Sequence, residues 1–194
     1  MNILVDRFPC KVKIDGKDYM LNTDFRVGIK IMLAMQDDVL TLQEKMIIML
    51  RLLYKEIPSN IEKAVEYAVA FLNCNEQGKE KEESSIVLFS WEKDAKYIYS
   101  AINQAHGIDL ETETIHWWKF KYMFLDLKPD CFFNRLVGVR DRKAKGKMDK
   151  ADKAFYLQNK DIVDLPPKLS HEEKMKVEQF KKLLEAGKAG DEDV

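Results

Sequence analysis

Three histidines, His106, His116 and His171, and three cysteines, Cys10, Cys74 and Cys131, are the side chains in this sequence best suited to hold a metal or attack a substrate. Their spacing gives them neither task. No HExxH string occurs and no cysteine pair lies near a histidine, so the ligand spacing of a zinc site is missing. The thiols are far apart and read as reduced, which fits a cytoplasmic compartment. No short window collects the glycines that form a phosphate cradle, so nucleotide hydrolysis is not expected. Carboxylates are plentiful, but nearly all fall at helix starts or on charged faces, where capping and solvation explain them. The sequence therefore predicts a non-enzymatic protein with no metal and no cofactor, one that works by binding other macromolecules.

Two clusters invite a binding role. The run Arg140, Arg142, Lys143, Lys145, Lys147 and Lys150 has the charge to meet phosphates. Asp141 and Asp149 interrupt it, no aromatic side chain is interleaved to stack on bases, and the whole chain carries a formal net charge of only -1. A solvated loop is the better reading, and nucleic acid is not expected as a partner. The pair Trp117 and Trp118 resembles a stacking platform, but its helical setting favours burial.

These side chains must be positioned by helices. At 194 residues, 46% of them hydrophobic, the chain can bury one real core. Cys10 to Ile14 alternates polar and apolar, and Asp15-Gly16 follows, which predicts an N-terminal β-hairpin. Asp6 and Arg7 interrupt the first apolar residues before they can form an export signal, and residues 46–53, broken by Arg51, are too short to cross a bilayer. Thr23 and Asp24 precede a helix over about 25–35. Capping boxes at Thr41–Glu44 and Ser59–Glu62 open two more, to about 57 and 73; the first has almost no polar face and should be packed on most sides. Residues 75–85 read as a flexible loop, and Ser90 is expected to cap a helix over 91–105.

The span 111–127 predicts a helix with two large apolar faces, Trp117, Phe120, Phe124 and Leu127 on one, and Ile115, Trp118, Tyr122 and Leu125 on the other. Either it is the central helix of a bundle, the reading that large aromatics favour, or one face, with Trp118 and Tyr122, meets a partner. Another helix starts after Lys128-Pro129-Asp130. Beyond Pro166-Pro167, a capping box at Ser170–Glu173 opens a Lys-rich helix whose thin stripe of Val177, Phe180 and Leu184 suits docking into a groove. The fold class expected is mainly α: a compact helical bundle with an N-terminal β-hairpin and a mobile C-terminal helical arm. Residues 1–140 form the domain, and 141–194 the basic linker and arm.

Several strings in this order resemble the bacteriophage gene-product-fifteen family of tailed phages infecting Gram-positive bacteria. They are Asp15-Gly-Lys17, Leu21-Asn-Thr-Asp-Phe-Arg26, Phe89-Ser-Trp-Glu-Lys-Asp94, Tyr97-Ile-Tyr99, Gly107-Ile-Asp-Leu110 and His116-Trp-Trp-Lys-Phe120. The resemblance spans most of residues 1–140. It implies a tail assembly chaperone that coats the tape measure protein, recruits tail tube subunits in the host bacterial cytoplasm and leaves before the tail is complete. Its rivals are a structural minor tail or connector protein of the virion, and a small nucleic-acid-binding regulator.

Overall fold

A computed structural model describes residues 2–76 and 86–166. The N-terminal hairpin pairs β1 (Lys11–Ile14) with β2 (Lys17–Met20) in antiparallel register, Ile14 opposite Lys17. Asp15 and Gly16 both take positive φ, 49° and 85°, as a two-residue turn matching the strand twist requires. Behind the hairpin come α1 (Phe25–Gln36), α2 (Leu42–Leu53), α3 (Ile61–Leu72), α4 (Ala95–His106) and α5 (Trp117–Leu125). Next are α6 (Phe132–Ala144), α7 (Lys150–Gln158) and the single turn α8 (Lys160–Val163). The mainly helical class and the hairpin are as the sequence predicts.

Local signals decide several boundaries. Thr41 and Glu44 form the expected reciprocal capping box on α2. Asp24 caps α1 by accepting from the Arg26 N–H. On α3, however, the cap is Asn60, accepting from Lys63, rather than Ser59.

Long-range pairing moves others. The helix expected to reach residue 57 stops at Leu53 because Tyr54 bridges to Leu21 and the Lys55 N–H donates to Met20. The helix expected over 111–127 begins only at Trp117. Ahead of it, Ile115 O accepts from Phe25 N and Trp117 N donates to Thr23 O, so the chain is held extended against the entry to α1. The turn at 91–94 also stays outside α4: Ser90 Oγ caps it at Lys93 N, while Asp94 turns inward to another partner. α2 is less enclosed than its composition suggests, since Met49, Leu50 and Leu53 are buried but Leu42 and Ile47 are exposed.

The main core lies among the hairpin and α1 to α6, with Ile31, Leu53, Ile102, Trp117, Trp118 and Phe120 at its centre. A second, small core joins α6 to α7 and α8 through Leu136, Val139, Phe155 and Val163. Residue 140, where the sequence places the end of the domain, falls inside α6, and the stretch expected to be basic linker folds as α7 and α8.

Candidate partner-binding surface

Trp117 and Trp118, side by side at the start of α5, both turn inward, and their indole N–H groups donate to consecutive carbonyls at the end of α3. Trp117 Nε1 reaches Leu72 O at 3.0 Å and Trp118 Nε1 reaches Phe71 O at 2.8 Å. The last carbonyls of a helix have no partner within it, so the pair serves as a buried side-chain cap for α3. Trp118 is 0% exposed and therefore offers no docking surface in this fold. Of the two readings of the aromatic helix, the central one holds. Tyr122 is half-buried against the same core, and only Leu125, 64% exposed, projects outward.

His116 is the N-cap of α5. Its Nδ1 accepts from Trp118 N at 3.1 Å, so the proton sits on Nε2, which donates to Pro9 O at 3.1 Å. Phe8 stacks on the ring, and burial holds the imidazole pKa below its usual value. Arg26 completes this end of the bundle. Its guanidinium donates to the carbonyls of Leu110, Glu111 and Glu113, tying α1 to the segment that leads into α5.

The basic run is the largest departure from expectation. Arg140 is buried, its side chain 5% exposed, and it forms a two-point pair with Asp94, 0% exposed, at 2.6 and 2.9 Å. Its remaining hydrogens go to Leu88 O, Ile162 O and Val163 O. Arg142 clasps Asp152, holding that carboxyl below the usual range, while Lys143 pairs with Asp164 and Lys145 with Asp141. Instead of a solvated loop, the run spans the end of α6, the turn after it and the first residue of α7, with four of its six cations in ion pairs within the chain.

Cys74 is buried against Tyr122, and burial pushes its thiol up to about 11; Cys10 is exposed and Cys131 caps α6 through its sulfur. None is in a disulfide. Among the described residues no helix is long and apolar enough to cross a membrane. Two open concavities lie among the described residues, one of about 430 Å³ beside Leu125 and Pro129 and another of about 370 Å³ between β1 and α3. Exposed apolar side chains, among them Leu42, Ile47, Ile61, Leu125 and Leu157, are distributed over α2, α3, α5 and α7. The other proposed contact residues, Val177, Phe180 and Leu184, lie outside the described residues, as do most of the 75–85 loop and the capping box at 170.

The strings that carry the family resemblance are thus the ones that lock the fold: Asp24 and Arg26 against Leu110 and His116, Tyr99 against Asp109, Phe25 against Phe120, and Asp94 against Arg140. No curated protein and no solved structure gives a significant match to the chain. A family model described as Bacteriophage Gp15 protein matches residues 4–165, from the turn ahead of the hairpin to the residues just after α8. The chain belongs to the bacteriophage Gp15 protein family.

Proposed function

We propose that this protein is a non-enzymatic phage tail assembly chaperone that binds the tape measure protein and recruits tail tube subunits in the host cytoplasm. The observation that carries the reading is the family match over residues 4–165. Two features support it. Apart from Tyr99, the aromatic residues of the motif strings pack in the core, and the exposed apolar side chains are spread over several elements, with Ile3, Leu4 and Val5 a short run at the N-terminus, which suits weak, reversible contacts better than one large permanent interface. The stripe of Val177, Phe180 and Leu184 lies beyond the matched region, so it can be removed with residues 4–165 left whole.

Co-expression with the tape measure chain tests the proposal. The full chain is expected to keep the tape measure chain soluble and to co-purify with it, and a chain ending at residue 166 is expected to do so less well while melting normally. Failure of the full chain to co-purify would remove the reading. The rival, a structural minor tail or connector protein, shares the family support and predicts fixed copy numbers in purified particles, which mass spectrometry of virions measures.

A further inference from the structure

The β-hairpin leaves one backbone edge open. Ile14 and Lys17, flanking the two-residue turn, are the first hydrogen-bonded pair, and Leu21 N donates to Cys10 O at 2.9 Å in the same register, so Val12 and Tyr19 are the bonded pair between them. Antiparallel alternation then turns the N–H and C=O of Lys11 and Lys13 away from β2. On β2 the outward edge is in use, because Met20 O accepts from Lys55 N at 3.0 Å. Among the described residues nothing does the same for Lys11 and Lys13. Beside this edge runs the groove of about 370 Å³, lined by Pro9, Val12, Tyr67, Ala70 and Phe71 as well as the two lysines.

We propose that the β1 edge accepts an added strand from a partner protein, an extended segment whose side chains alternate between acidic and apolar. Unsatisfied strand edges bind extended chains through main-chain hydrogen bonds, and pockets beside them read alternate side chains. Lys11 and Lys13 are exposed and on one face of β1, so every second residue of an added strand lies next to an ammonium. Asp18 lies opposite Lys13 in the register and pairs with Lys11, so one carboxylate serves two ammonium groups, and a carboxylate on the added strand supplies the second counter-charge. The interleaved residues face the side of Val12, which packs on the core. A second copy of the chain is the wrong occupant. Pairing two β1 edges antiparallel about Val12 sets Lys11 of each copy against Lys13 of the other, and like charges placed opposite destabilise a sheet. With only two N–H and two C=O groups on offer, the contact is weak and reversible. The inference concerns the hairpin edge alone and does not depend on the tail-assembly reading.

The test uses the full chain and two fluorescein-labelled nine-residue peptides, one alternating glutamate with valine and one alternating lysine with valine, in polarisation titrations. The glutamate peptide is expected to bind at least about tenfold more tightly, with a preference that shrinks as salt rises. Lys13→Ala should weaken it a few-fold, and Lys13→Pro, which also removes an N–H outside the ladder, by about fivefold more, the worth of one hydrogen bond. Should the proline variant melt early, a glutamate peptide N-methylated at alternate residues makes the same comparison on the unaltered protein and should bind at least about fivefold more weakly than its parent. Equal binding of the two charge patterns, or of the methylated and parent peptides, overturns the proposal. So does tighter binding after deletion of residues 167–194, which would make the chain's own acidic end the occupant, or a dimer that Lys13→Pro dissociates.

Discussion

The indole of Trp117 lies directly over Gly28 of α1, so close that a Cβ at that glycine would sit 2.1 Å from ring atom Cε3. Gly28 is therefore not a flexible point in the helix but the space into which the central aromatic ring fits. Gly28→Ala should destabilise the protein by about 1–3 kcal/mol, the usual cost of overpacking, despite alanine's better helix propensity. In a Trp117→Ala background, itself costing about 3–5 kcal/mol, the same substitution should become neutral or favourable. Urea denaturation of the four proteins measures this coupling, and additive losses would show that the two residues do not compete for the same space.

Trp118 tests the capping role of the indole pair. Trp118→Phe keeps an aromatic ring but removes the indole donor from Phe71 O, which still accepts from Cys74 N at 3.0 Å. The expected loss is about 0.5–1.5 kcal/mol, the net worth of the one hydrogen bond removed. Amide hydrogen exchange should quicken at the C-terminal end of α3 before it does in α1.

Arg140 and Asp94 form a pair whose rupture should be severe. Arg140→Met leaves the Asp94 carboxylate buried and uncompensated and is expected to cost about 3–5 kcal/mol. The same guanidinium binds Ile162 and Val163, so the variant should also release α8, seen as faster trypsin cleavage after Lys160. Unchanged cleavage there would mean that the small core of Leu136, Val139, Phe155 and Val163 holds α8 without the arginine.

His116 predicts a pH dependence. Its folded pKa is depressed from 6.5 by burial, so the unfolded chain takes up a proton at a higher pH than the folded protein does. Its stabilising contribution is therefore complete above about pH 6.5 and falls as the pH drops below that value. His116→Asn keeps an N-cap without a titrating ring, so the slope of stability between pH 7.5 and 5 should flatten relative to the parent protein. Identical slopes would place the acid sensitivity in other groups.

Much of the fold is legible in the sequence because some of its signals act over only a few residues. Asp15-Gly16 needs nothing beyond its own positive φ to make the hairpin turn, and Thr41 and Glu44 cap α2 across a single turn of chain. The apolar character of α3 and α5 likewise announces buried helices wherever they end up packing. What the sequence did not disclose depends on partners far away along the chain. The start of α5 is set by Thr23 and Phe25, some ninety residues earlier, which take up the backbone groups of Ile115 and Trp117 and hold the preceding segment extended. Arg140 looks like one more cation in a basic run until the fold brings Asp94 and the end of α8 to it. A guanidinium is stable in the interior only where a carboxylate and enough carbonyls converge on its hydrogens, and that convergence is a property of tertiary structure alone.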